Sequence, residues 1–273
     1  MNFVDITNDI AFRKIFGNES KKKSLISFLN AVIDLPEDEQ IIDVTITNPI
    51  QLGILNDGKS TIIDVKAKDE KGNLFIIEMQ VSDYNFFHKR ILYYTSQSYV
   101  TQISKGADYK LLKPVYFIGI LEFEIGESKH YFSRHKVLDV ATKEQVIKDV
   151  EFNFIELPKF TKTIDQLKTN IDQWTYFIKN AENLTVIPDN VTDEGLKEAY
   201  EQANKQNWTR EELDEYERAS MKEGDERGKL ELALKRGEIK VKIEIATALK
   251  QNGASIELIM KSTGLTREEI EKL

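Results

Sequence analysis

Two β-type runs, at 60–67 and 74–81, flank the turn-rich segment KDEKGN at 68–73, and this arrangement limits the fold more than any other feature of the chain. Branched and apolar residues at period two on either side of a Gly-Asn turn specify an antiparallel hairpin. Alternation puts Ile62, Asp64 and Lys66 on one face of the first run, and Ile76, Glu78 and Gln80 on one face of the second. With the hairpin centred on Lys71, Asp64 stands opposite Glu78, with Cβ atoms roughly 5 Å apart. Two carboxylates so placed on strands rich in Ile and Val repel each other, and a divalent metal is the natural cation to sit between them. Asp64 and Glu78 are therefore candidate metal ligands. The plain alternative is the exposed polar face of a hairpin, which alternation alone does not separate from a site.

The same two faces carry further candidates. A bound Mg²⁺ keeps several waters, lowers the pKa of one and stabilises charge developing at a scissile phosphate, which is the chemistry of phosphodiester hydrolysis. Gln80 can reach that pocket and orient water or a phosphate oxygen, although its amide is no base. Lys66 shares the face of Asp64 and offers an ammonium for the transition state; a solvated surface lysine is an equal reading. Asp9 is either a third acid of the site or, the favoured reading, an acid stabilising a helix N-terminus. His88, His130 and His135 lack the spacing of a zinc motif.

Around the hairpin the pattern reads ααβββαβ. Thr7 or Asn8 can cap a first helix carrying Ile10, Phe12, Ile15 and Phe16, and a second covers 24–33. A β-branched stretch at 41–47 ends at Asn48-Pro49, helical spacing returns over 87–104, and 115–123 is a buried strand. On that third helix Arg90, Tyr94 and Gln97 lie near one face as candidate lining of a DNA groove, with packing at the core rim the favoured account of Tyr94. Further strands are expected at 130–133 and 151–157, which ends the mixed domain near 160. Beyond it the chain is helical and charged. Gly224, Gly228 and Gly237 interrupt the stretch 199–250 and suggest hinges or close helix contacts. The last segments, 239–249 and 255–263, read as short helices joined at Asn252-Gly253. They form a small cap or oligomerisation unit, with a helix-turn-helix as the lesser alternative.

The net charge of −8 weighs mildly against tight non-specific nucleic-acid binding, since that affinity comes from Lys and Arg neutralising phosphates. The absence of cysteine excludes disulfides and thiolate chemistry and fits a reducing cytoplasm. No apolar run is long enough to cross a bilayer, and the N-terminus has acids where a signal peptide carries basic residues.

The motifs NDIAFRKIFG (8–17), SFLN (27–30), IDVKA (63–67), IEMQ (77–80), KRILYY (89–94) and LPKF (157–160) resemble those of the bacterial Rpn-like, PD-(D/E)XK nuclease family of transposases, the recombination-promoting nucleases. The resemblance covers about the first 160 residues. It implies an α/β fold with a mixed sheet, a restriction-endonuclease-like core at 1–160, and a charged helical extension at 161–273. It further implies metal-dependent DNA cleavage linked to recombination or mobile DNA, in a bacterial cytoplasm, with Mg²⁺, Mn²⁺ or Ca²⁺ on Asp64 and Glu78. The wider superfamily ends its second motif in Lys, where this chain has Gln80; either Gln80 suffices or Lys66 supplies the ammonium. The tail is assigned to homo-oligomerisation or partner contact. The rival reading is a DNA- or protein-binding module whose site no longer turns over.

Overall fold

The structure, a computed structural model, describes residues 1–48, 50–51, 61–81 and 86–273. Pro49 and Ser60, expected at the end of one strand and the start of the next, lie outside the described residues. Helix α1 (Asp9–Phe16) is capped by Asn8, whose side-chain oxygen accepts from the N–H groups of Ile10 at 3.0 Å and Ala11 at 3.4 Å. It buries Ala11, Phe12, Ile15 and Phe16. Helix α2 (Lys23–Ile33) follows, then β1 (Val44–Ile46), β2 (Ile50–Gln51), β3 (Thr61–Ile62), β4 (Val65–Asp69), β5 (Leu74–Gln80), α3 (Phe87–Val100), β6 (Val115–Leu121), β7 (Phe132–Lys136) and β8 (Val150–Glu156).

Six strands form one mixed sheet in the order β1-β4-β5-β6-β8-β7, while β2 and β3 make a separate ladder. Strand β6 is parallel to β5 and to β8, and the other pairs are antiparallel. The helix α3 bridges the parallel pair β5 and β6, as a parallel connection requires. In the hairpin Val65 faces Ile77 and Lys66 faces Ile76, the register of a turn centred on Lys71.

The run at 60–67 is not one strand. A bend at Asp64 separates β3 from β4 because side chains replace the ladder there: the Met79 N–H donates to Asp64 Oδ2 at 2.9 Å, and the Asp64 N–H donates to Glu78 Oε1 at 3.3 Å. The bend also corrects strict alternation. Val65 and Ala67 join Phe75, Ile77 and Met79 in the core against α1 and α2, whereas Ile63, of the same parity, joins Ile76, Phe87 and Ile91 beneath α3.

The compact unit containing the sheet closes at Tyr216, beyond the division at 160 suggested by the fading β signal. The sheet's α1–α2 side cannot be covered by two short helices alone. It also takes α4 (Asn170–Asn180) and α5 (Glu194–Ala203), with Trp174 packed on Phe16 at 5.7 Å between ring centres and Phe177 on Tyr200 at 4.5 Å. A second unit, Glu217–Leu273, holds most of α6 (Arg210–Gln251), together with α7 (Ile256–Thr263) and α8 (Arg267–Glu271) around Ala246, Ile259 and Ile270. Gly224, Gly228 and Gly237 neither break α6 nor mark close contacts, since a Cβ added at any of them meets nothing within 4 Å. Among the described residues no helix is long and apolar enough to cross a membrane.

Helices α2 and α5 touch at Gly195, where a Cβ would stand 2.3 Å from the Lys23 carbonyl oxygen and 2.4 Å from Ser27 Cβ. Neither neighbour is the free end of a flexible side chain. Gly195→Ala is therefore expected to destabilise the first unit by about 1–3 kcal/mol, read as a lowered midpoint in urea; an unchanged midpoint contradicts this packing.

Candidate active site

Strand β5 lies inside the sheet, with β4 on one side and β6 on the other, so Glu78 is only 4% exposed. On the β6 side its neighbour is Gly119, which lies under the rings of Phe154 and Phe117; a Cβ there would approach them to 3.0 and 3.2 Å. The Glu78 carboxylate draws its hydrogen bonds from the β4 side and from its own strand. Oε1 accepts from the Asp64 N–H, and Oε2 accepts from the Gln80 side-chain amide at 3.0 Å. Gln80 also donates to the Met79 carbonyl at 3.0 Å.

Asp64 is held by the bend. Its Oδ2 takes the Met79 N–H, and its Oδ1 meets Arg13 Nη2 at 3.2 Å. Arg13 comes from α1, one turn after Asp9, and a second guanidinium, Arg90, reaches in from α3. Arg90 lies over the Tyr94 ring at 5.7 Å and donates to its hydroxyl at 3.3 Å. Burial pushes the Glu78 pKa up to about 8, with the Asp64 charge adding to the rise and Arg90 and Arg13 opposing it. Asp64 is also raised, first by burial and further by the charge of Asp9; the Met79 N–H and Arg13 oppose the shift.

The fold therefore gathers Asp64, Glu78 and Gln80 in one place and brings exposed Asp9 into electrostatic reach of Asp64. Lys66 lies farther along the same sheet face, where it lines a cleft with Lys68, Lys71 and Lys113. Sequence reading missed Arg13 altogether. Its one signal is the i,i+4 spacing to Asp9, which places both on one side of α1. Arg90 is visible in the sequence only as groove lining.

Two opposed carboxylates, one almost wholly buried, suit a hard cation with oxygen ligands. Among the described residues no three carboxylate, imidazole or thiol side chains cluster as a ligand set.

A family model described as PD-(D/E)XK nuclease family transposase matches residues 6–233, farther than the 160 residues over which motifs were read and through α4 and α5 into α6. A comparison with curated proteins and one with solved structures found no match.

A carboxyl whose pKa is higher in the fold than its ordinary 4.5 favours the protonated folded state. That contribution is complete below the ordinary value and is lost as pH rises through about 8. Without divalent ions, the melting temperature is expected to fall between pH 5 and pH 8.5, and Glu78→Gln should flatten the fall. Melts in which wild type and variant share one pH dependence would count against a strained Glu78.

Proposed function

This chain belongs to the PD-(D/E)XK nuclease family of transposases, and we propose that it is a divalent-metal-dependent DNA endonuclease working in recombination or on mobile DNA. The observation that carries this reading is the pairing of half-buried Asp64 with buried Glu78, joined through the Asp64 N–H and flanked by Arg13 and Arg90. Asp64 and Glu78 are the residues to hold the ion, Mg²⁺ or in its place Mn²⁺ or Ca²⁺. When bound, such an ion supplies an activated water and stabilises the charge of the displacement.

The remaining groups divide the work of positioning. Gln80 steadies Glu78 Oε2 and can turn its amide toward the attacking water. Arg13 and Arg90 offer planar, permanently charged donors to phosphate oxygens, so the cationic role expected of Lys66 is shared with them. Asp9 adds negative charge near Asp64 and so strengthens the site's demand for a cation. The nuclease function is assigned to the sheet, and the helical second unit to homo-oligomerisation or partner contact.

Purified wild type and Asp64→Ala, incubated with supercoiled plasmid and Mg²⁺, Mn²⁺, Ca²⁺ or EDTA, test the reading. Nicking by the wild type is expected to need metal and to fall by about 100-fold or more in the variant, since metal-assisted charge stabilisation is worth several kcal/mol. Equal inertness of both proteins, with DNA or a partner still bound, replaces the enzyme with the binding-module reading.

A further inference from the structure

A cleft of ≈ 510 Å³ opens between the β4–β5 hairpin, the end of α3 and the segment leading into β6. Lys66, Lys68, Lys71 and Lys113 line it, with Glu70 as the one carboxylate among its lining residues. A chain of net charge −8 thus concentrates four positive charges against one negative in a single hollow. Lys71 is engaged, donating to the Glu39 carbonyl at 2.6 Å and lying 4.0 Å from Glu70. Among the described residues no carboxylate pairs with Lys66, Lys68 or Lys113, which line the cleft.

The hollow is built by the fold. Gly72, at φ +91°, leaves room for two lysine stems to converge: a Cβ there would stand 3.3 Å from Lys113 Cγ and 3.4 Å from Lys68 Cε. The segment bearing Lys113 is pinned to the end of α3 by reciprocal bonds, Gln102 Nε2 to the Lys113 carbonyl and the Lys113 N–H to Gln102 Oε1, both at 2.9 Å.

The cleft and the acid pair occupy the same side of the sheet. Val65, Ala67, Ile77 and Met79 all enter the opposite core, so Lys66 and Lys68 on β4 share a face with Glu78 and Gln80 on β5. Lys68 is four residues from Asp64, roughly 13 Å at about 3.3 Å per residue. One strand of B-DNA advances about 3.4 Å along the duplex axis per nucleotide, so that separation spans at most about four nucleotides. Resting on the nuclease reading of the acid pair, we propose that the lysine cleft is a second phosphate site that grips the nucleic-acid backbone a few nucleotides from the bond cut at Asp64 and Glu78.

The test compares full-length wild type, Lys68→Ala/Lys113→Ala and Lys68→Arg/Lys113→Arg, binding a fluorescent DNA duplex in EDTA across a range of KCl. The alanine pair is expected to weaken binding about tenfold and to lower the slope of log K against log salt by about 1–2, roughly one unit for each phosphate no longer neutralised. The arginine pair should bind like wild type. An alanine pair with wild-type affinity and slope overturns the proposal, and so does a wild type that binds no DNA. If inorganic phosphate or a nucleoside monophosphate binds wild type through these lysines while DNA affinity survives their removal, the cleft takes a free anion and the backbone assignment falls. Should the alanine pair fail to fold, Lys68→Gln/Lys113→Gln reads the same way. The two readings fail separately: lysine-dependent binding without metal-dependent cleavage removes the nuclease and keeps the phosphate site, whereas cleavage with lysine-independent binding does the reverse.

Discussion

Pairing of β5 on both edges, antiparallel to β4 and parallel to β6, determines where every other group of the site stands. A strand enclosed in this way has no edge to offer water, and both its faces are claimed by cores: Phe75, Ile77 and Met79 on one, Ile76 on the other. Glu78 takes a position that such a strand would otherwise fill with an aliphatic residue. Its carboxylate is tolerated because the strand end is near and polar groups turn toward it: the Asp64 N–H, the Gln80 amide and a guanidinium from each of two helices. The local irregularities follow from that accommodation. The bend at Asp64 exists because its carboxylate and amide bond to β5 in place of the regular ladder.

The electrostatics of the chain make sense only when its net charge is set aside. An excess of acids over the whole sequence coexists with a local gathering of cations, Arg13 and Arg90 near Asp64 and Glu78 and Lys66, Lys68 and Lys113 in the cleft beyond them. Net charge sums groups over the entire surface, yet exposed charges separated by more than about 10 Å at ordinary salt are largely hidden from one another. The total is then a statement about solubility, and the local arrangement is the one that bears on a polyanionic partner.

Packing explains why the sheet-bearing unit is larger than its strands suggest. A mixed sheet needs cover on both faces, and α3 provides it on one side. On the other side α1 and α2 present Phe16 and Phe28, whose burial is completed only by Trp174, Phe177 and Tyr200 from beyond residue 160. Gly195 permits that closure by letting α5 approach the α2 backbone.

Local rules were enough for part of this. The turn at 68–73 and period-two alternation set the hairpin register up to Val65 and Ile77, which brings Asp64 and Glu78 side by side just past the end of that ladder, because both depend on residues adjacent in the chain. The Asn8 cap and the helical periodicities of α1 and α2 are local in the same sense. What sequence could not supply are contacts made across long stretches of chain: Arg13 reaching Asp64 from 51 residues away, Phe154 and Phe117 packed over Gly119 beside Glu78, and Lys113 meeting Lys68 over Gly72. Alternation also misplaced Ile63, since it assumes an unbent strand and the bend arises from a side chain bonding to another strand's backbone. The sequence by itself thus determined which acids face each other; only the tertiary structure decided how deeply they are buried and which cations answer them, because burial and long-range charge belong to the assembled fold and have no period along the chain.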